Sequence, residues 1–205
     1  MLKVGLTGGY ATGKTSVARE LERLGCHLVL ADELGHSVLQ PGGAAYTRVV
    51  ELFGREILAP DSCVDRKRLA SIVFNSPERL AQLNAIVHPA VFQLEQQMLA
   101  DFERQDPFGI AVLEAAILIE TGRYRHCDKL IVTTCDQATQ IARGMKRDGM
   151  TREEILARLE RQLSLEEKKL YADFVIDTSG EKEDTMKQVQ QVFNELKRLA
   201  EVTAR

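Results

Sequence analysis

No stretch of this 205-residue sequence stays apolar over the roughly 20 residues that a membrane-spanning helix needs. No basic, apolar, small-residue leader opens the chain, whose first residues already read as a strand and a loop; the expectation is a cytoplasmic protein with no membrane partner. Neither sign of charge dominates. A formal net charge of −3 argues against a general nucleic-acid coat and leaves room only for local basic clusters. Cysteine is sparse, and Cys26, Cys63, Cys127 and Cys135 form no C-x-x-C pair. His27 and His126 stand beside two of them without ligand spacing, so a zinc site is not expected and the thiols read as reduced and structural. Internal repeats and low-complexity segments are absent too.

What is present begins at residue 8. Gly8-Gly9-Tyr10-Ala11-Thr12-Gly13-Lys14-Thr15 fits G-x-x-x-x-G-K-[ST] without a gap. Glycines at both ends let the backbone turn tightly, so that the N–H groups of Gly9 to Ser16 can surround a phosphate chain. Lys14 would set a point charge against the β- and γ-phosphates, and Thr15 would offer its hydroxyl to Mg²⁺. The context agrees. Leu2–Leu6 is a short apolar run fit for a buried strand, while Val17, Ala18, Leu21 and Leu24 follow helical spacing up to Gly25. The helix would add the positive end of its dipole to the same site. A guanine nucleotide is not indicated: [NT]-K-x-D is missing, and D-x-x-G recurs at Asp32–Gly35, Asp106–Gly109 and Asp177–Gly180, which strips it of diagnostic value.

Candidate strands at Leu2–Leu6, His27–Ala31, Ile110–Glu114, Leu130–Thr134 and Phe174–Asp177 are mostly separated by helical segments. That alternation predicts an α/β fold of the P-loop NTPase type, a parallel five-stranded sheet with helices on both faces. A closing helix runs from about Lys182 to Glu201, with Met186, Val189, Val192, Phe193 and Leu196 as its core stripe. Residues 1–40, 105–135 and 171–205 form the expected nucleotide-binding core. Residues 41–104 read as a helical acceptor-binding insertion, with Ser76-Pro77 opening a helix and His88-Pro89 as a break. Residues 136–170, carrying capping boxes at Thr151–Glu154 and Ser164–Glu167, read as a helical lid over the triphosphate.

Four groups of residues carry candidate chemistry. Asp32 follows the second strand, where open parallel sheets present ligand-binding groups; it could take a proton from an attacking hydroxyl or cap the next helix. Glu114 ends the third strand and could hold a Mg²⁺-bound water, while Glu120 could orient groups around the acceptor; both could also be solvated or capping carboxylates. Arg143 and Arg147, four apart on one helical face, could stabilise charge on a transferred phosphoryl group, although an exposed basic face is the usual fate of such pairs. Asp65-Arg66-Lys67-Arg68 opens a helix that could meet an anionic acceptor or simply face solvent, and His88 could be structural or catalytic.

Taken together these residues resemble the dephospho-coenzyme A kinase family, from Val4 to about Gly180. The resemblance rests on Gly5-Leu6-Thr7-Gly8-Gly9 leading into Gly13-Lys14-Thr15, then Ala31-Asp32, Arg68-Leu69 and Val73-Phe74. It continues through Leu83-Asn84-Ala85-Ile86-Val87-His88-Pro89, Leu118-Ile119-Glu120, Arg143 with Arg147-Asp148, and Ala172–Asp177. The Leu-Asn to His-Pro segment is the most specific of these. What the resemblance implies is transfer of the γ-phosphoryl of ATP, with Mg²⁺, to the ribose 3′-hydroxyl of dephospho-coenzyme A, by a monomer or small homo-oligomer. It makes Asp32, Lys14 and Arg143 catalytic and draws ATP to Gly9–Ser16, Arg147 and Thr178. It draws the acceptor to Asp32, Arg68, His88 and Glu120, and the metal to Thr15 and Glu114. The chain departs from the family pattern in places: Leu30-Ala31-Asp32 stands for Asp-Ala-Asp, Tyr10-Ala11-Thr12 for Ile-Gly-Ser, Ala116-Ile117-Leu118 for Pro-Leu-Leu, and Glu114 for a frequent aspartate. Tyr10 is bulky enough to touch the acceptor or the lid. The alternatives are another small-molecule or nucleoside P-loop kinase, and an ATP-binding regulatory module that transfers nothing.

Overall fold

In the computed structural model, which describes residues 1–74 and 76–203, strands and helices alternate. Strand β1 (Leu2–Gly8) leads to α1 (Lys14–Arg23), β2 (His27–Leu30) and α2 (Ala31–Ser37). Helices α3 (Tyr46–Phe53), α4 (Arg66–Phe74) and α5 (Pro77–Gln105) follow, then β3 (Ile110–Glu114) and β4 (Lys129–Thr134). Helices α6 (Gln137–Asp148), α7 (Arg152–Leu159) and α8 (Leu165–Lys169) precede β5 (Phe174–Asp177) and α9 (Lys182–Thr203).

The parallel sheet has the order β2-β3-β1-β4-β5. Its centre is β1, with Leu6 opposite Glu114 of β3 and Gly8 opposite Thr133 of β4. Residues Val4 to Gly8 are buried one after another, as are all five residues of β3. Near-continuous burial is what a strand covered on both faces requires, and it explains why these segments read as apolar runs rather than alternating ones. Helix α9 packs on α1, β1 and β5, and α8 rests on β4. Leu6, Leu21, Ile131 and Leu196 are all but inaccessible to water. Burying such side chains contributes about 1.5–3 kcal/mol apiece before conformational entropy is counted.

Contacts divide the chain into two compact units, residues 1–29 with 101–205 and residues 30–100. The second unit begins at Leu30, whereas the sequence places the helical insertion at 41–104. The expected lid, 136–170, falls in the first unit with the sheet. Within the second unit, Val49, Phe53, Ile57, Leu69, Val73 and Ile86 are buried. The Arg79 guanidinium lies 5.7 Å from the centre of the Phe53 ring.

Ser76 caps α5 as its sequence predicts, its hydroxyl accepting from the Arg79 N–H at 3.2 Å. His88-Pro89 does not break that helix, which runs unbroken from Pro77 to Gln105 with Pro89 inside it. A mid-helix proline removes one hydrogen bond and frees the carbonyl four residues earlier. Here Pro89 and Ala85 are both exposed, so water can satisfy the freed Ala85 carbonyl. Strand β2 stops at Leu30, one residue short of expectation, because Ala31 already belongs to α2.

All four cysteines are free. Burial pushes the Cys26 thiol up to about 12 and that of Cys127 to about 11, so both stay protonated at neutral pH.

Candidate active site

The loop between β1 and α1 is shaped by close approach and by left-handed backbone. A Cβ on Gly8 would fall 2.4 Å from the Thr133 carbonyl oxygen, in the backbone of the neighbouring strand, so no larger residue fits. Gly13 has φ 75° and serves as the N-cap of α1 without a side-chain cap bond. The Ser16 and Val17 N–H groups donate to its carbonyl at 3.0 and 3.2 Å, and the helix N-terminus built there is the arrangement that attracts phosphate. Ala11 also takes a positive φ, 58°. The Lys14 ammonium donates to the Gly9 carbonyl at 2.7 Å and reaches the Gly8 carbonyl at 3.5 Å, which keeps its charge at the loop.

Several loop residues assigned to ATP from sequence hold the loop itself. The Thr12 hydroxyl is fully buried, donates to the Gly9 carbonyl at 2.9 Å and lies 2.8 Å from the Thr133 hydroxyl. The Thr178 hydroxyl donates toward the carbonyls of Thr12 and Thr134 at 3.1 and 3.2 Å, joining the loop to the end of β4. Tyr10 turns to the lid at every polar atom. Its N–H donates to Gln162 Oε1 at 3.0 Å, and its carbonyl accepts from Gln140 Nε2 at 2.7 Å. Its hydroxyl donates to Asp148, and its ring packs with Ile155, Ile141, Met150 and Leu159. The N–H and side chain of Tyr10, a residue assigned to ATP from sequence, are thus engaged by α6, α7 and Gln162.

Beside the loop opens a cleft of about 620 Å³, lined by Ala11, Gly13 and Ser16, by Arg143, Lys146 and Arg147 of α6, and by Thr178, Gly180, Lys182, Thr185 and Met186. Its size suits a nucleotide-sized ligand, and the cations of α6 with Lys182 give it a positive wall. Arg143 donates to the Thr178 hydroxyl at 2.9 Å and to the Thr178 carbonyl at 2.6 Å, which fixes its guanidinium at the cleft. Arg147 makes two 2.8 Å bonds to the Asp148 carboxylate and lies 5.3 Å from the centre of the Tyr10 ring. Its partners hold it in the charged state, and the Arg147 and Tyr10 hydrogen bonds hold the Asp148 carboxyl down at about 2.

The carboxylates divide into three cases. Glu114 is buried at the C-terminal end of β3, in register with Leu6 of β1. Among the described residues no group of three or more His, Cys, Asp and Glu converges. A hard cation held by the Thr15 hydroxyl and the Glu114 carboxylate would thus complete its shell from water and substrate phosphates, the habit of Mg²⁺ rather than of zinc or calcium. Glu120 is exposed as a residue, but its Oε1 sits 2.9 Å from the buried ammonium of Lys168 and 3.2 Å from the Leu163 N–H. Asp32 lies in the exposed first turn of α2. The N-cap there is Leu30, with no side-chain cap bond, so the capping role that sequence left open for Asp32 is not used.

In the second unit, Arg68 reaches the carbonyls of Glu56 and Leu58 at 3.4 and 3.2 Å and pairs with Asp65 at 3.2 Å, bracing its own helix start. His88 is exposed on α5. Lys168, whose ammonium reaches the Gly8 carbonyl of the loop at 3.3 Å, is a residue that sequence reasoning missed. It carries the most voluminous fully buried side chain described, inside a charged five-residue helix where local pattern predicts exposure.

A five-stranded parallel sheet with helices, a phosphate loop at the end of its central strand and the cations of α6 beside that loop define a P-loop kinase. The sequence profile of the dephospho-CoA kinase family matches residues 2–184. A dephospho-CoA kinase of Geobacter metallireducens is 43% identical over 195 residues, covering 95% of this chain and 96% of that protein. One from Aquifex aeolicus is 40% identical and covers 97% of this chain and 99% of its own. The crystal structure of TT1252 from Thermus thermophilus superposes with a TM-score of 0.78 at 31% identity, covering 95% of this chain and 97% of that one. The chain belongs to the dephospho-CoA kinase family.

Proposed function

We propose that the protein transfers the γ-phosphoryl group of ATP to the ribose 3′-hydroxyl of dephospho-coenzyme A, yielding coenzyme A. The carrying observation is the loop Gly8–Thr15 opening onto a cleft walled by Arg143, Lys146, Arg147 and Lys182, in a chain of this family. Amides of the α1 N-terminus and Lys14 cradle the β- and γ-phosphates, and the dipole of α1 favours their charge. Thr15 and Glu114 would hold Mg²⁺, which would supply charge neutralisation to the phosphates. Arg143 stabilises the charge that builds on the transferred group, and Asp32 accepts the proton of the attacking hydroxyl. Arg68 and His88, in the helical unit, meet the acceptor. The lid excludes water, which limits wasteful hydrolysis of ATP.

No helix among the described residues is long and apolar enough to cross a membrane. The reaction is proposed to run in the cytoplasm, with the enzyme a monomer or small homo-oligomer and with no nucleic acid involved. The test is product analysis by mass spectrometry after incubation with ATP, Mg²⁺ and dephospho-coenzyme A, with nucleoside monophosphates and pantothenate as competing acceptors. Coenzyme A is the expected phosphorylated product. Phosphorylation of another acceptor instead would overturn the acceptor assignment and keep the kinase class, and ATP binding without product would favour a regulatory module.

A further inference from the structure

An ammonium group taken out of water is stable only if its N–H donors find acceptors, and a lone one would give up its proton. The side chain of Lys168 is fully buried, and its Nζ has three acceptors. They are the Ala116 carbonyl at 2.9 Å, the Glu120 carboxylate at 2.9 Å and the Gly8 carbonyl at 3.3 Å. Glu120 is held in turn by the Leu163 N–H, so the carboxylate is anchored to the segment that enters α8. The capping box of Ser164 and Glu167 fixes the start of that helix. Lys168 thus ties the end of β1, the turn after β3 and the base of the lid to one charge.

The Gly8 carbonyl has a second suitor. Lys14 Nζ reaches the same oxygen at 3.5 Å, while its shorter contact is to Gly9 at 2.7 Å. Two ammonium groups therefore share one carbonyl oxygen. Were Lys168 absent, that oxygen would be buried with Lys14 as its available cation, and the attraction would draw Lys14 further onto the loop. With Lys168 present, the oxygen is already occupied and like charge opposes a closer approach.

We propose that Lys168 is a positioning residue for the phosphate-binding lysine: by occupying the Gly8 carbonyl it leaves the Lys14 charge to the β- and γ-phosphates. This rests on the reading of the loop as an ATP site. It goes beyond that reading in giving a residue of the lid base a role in phosphate affinity.

The test compares ATP with AMP, because a defect in Lys14 placement weakens binding of the β- and γ-phosphates and spares the rest of the nucleotide. Lys168→Met alone would leave the Glu120 carboxylate without its cation, so the informative variant is Lys168→Met with Glu120→Gln, whose amide oxygen still accepts from Leu163. Affinities for ATP and AMP are measured by calorimetry on the full chain, with thermal melting as the check on folding. The double variant is expected to bind ATP about tenfold more weakly while AMP affinity stays within about twofold. Glu120→Gln alone keeps the ammonium and its two carbonyl partners, and is expected to retain the wild-type ratio of ATP to AMP affinity. An unchanged ratio in the double variant, or an equal loss for both nucleotides, would overturn the proposal. So would a fallen ratio in Glu120→Gln alone, a result that stands even if the double variant does not fold. Failure of the acceptor assignment looks different: wild-type protein would bind ATP and make no coenzyme A, leaving the ratios to be read as before.

Discussion

The phenol hydroxyl of Tyr10 donates to the carboxylate of Asp148, so that the phosphate loop is tied to the last residue of α6 across 138 positions of the chain. Two guanidinium groups share the ring, Arg147 at 5.3 Å and Arg158 at 4.8 Å from its centre. The ring, the carboxylate and the two cations together hold α6 and α7 against the loop.

Tyr10→Phe keeps the ring and its cations and removes only the donated hydrogen bond. The lid is expected to loosen by about 1 kcal/mol, raising amide exchange in α6 and α7 about fivefold. Tyr10→Ala also empties a site packed by Ile155 and Ile141, at a cost of about 3–5 kcal/mol. Hydrogen-exchange mass spectrometry reads both; unchanged exchange in the alanine variant would rule out Tyr10 as the tie.

The same pair sets an acid dependence. Hydrogen bonds from Arg147 and Tyr10 lower the folded-state carboxyl of Asp148 from 3.8 to about 2. A lowered value means that the unfolded chain binds the proton more readily, so the stabilisation is complete above the ordinary carboxyl range and fades as pH falls through the folded value. Asp148→Asn should therefore melt below the wild type from neutral pH down to about pH 4, and the gap should close toward about pH 2. A gap that stayed constant across that range would show that the carboxylate's charge contributes nothing.

Gly144 explains how α6 accommodates so large a residue in the loop. A Cβ there would fall 2.7 Å from Tyr10 Cε1 and 2.9 Å from Ile155 Cδ1, both in close-packed surroundings. Gly144→Ala would improve helix propensity by about 1 kcal/mol in isolation. The clash should outweigh it, for a net loss of about 1–2 kcal/mol seen as a lower melting temperature. Pairing it with Tyr10→Ala, which clears the space, should turn Gly144→Ala neutral or stabilising; equal effects in both backgrounds would show that the two residues do not compete for that space.

How far these features could be read from the sequence depends on how local their causes are. Ile110–Glu114 emerges with the boundaries expected because a buried parallel strand is a short apolar run bounded by turns, and Phe174–Asp177, an edge strand with only Ile176 buried, is a short apolar run too. Both lid capping boxes are likewise present, since all their atoms lie within four residues. His88-Pro89 misleads because a local rule takes no account of whether water can reach the freed Ala85 carbonyl. Lys168 was beyond such reading: its three acceptors come from β1, the turn after β3 and Glu120, and nothing in Leu165–Lys169 signals them. Tyr10 stood out as a departure from the family pattern, but only the folded chain shows Gln140, Asp148 and Gln162 as its partners.

Lys14→Ala separates the loop from everything around it. Removing the ammonium takes away charge that binds ATP and that stabilises the transition state, so affinity and turnover should fall together. A loss of about 100-fold or more in kcat/KM is expected, with ATP affinity weakened in the same variant. Normal activity would mean that the loop does not carry the phosphates.

Asp32→Asn makes the opposite kind of change. The residue lies exposed in the first turn of α2 and does not cap it, so an amide should cost little stability. If its carboxylate takes the proton of the attacking hydroxyl, turnover should drop by about 10²–10⁴ while ATP affinity and melting temperature hold. Parallel losses of ATP affinity and turnover would instead assign Asp32 to nucleotide binding. Full turnover would leave the hydroxyl to lose its proton without a protein base, a course open to a loose transition state in which the nucleophile needs little activation.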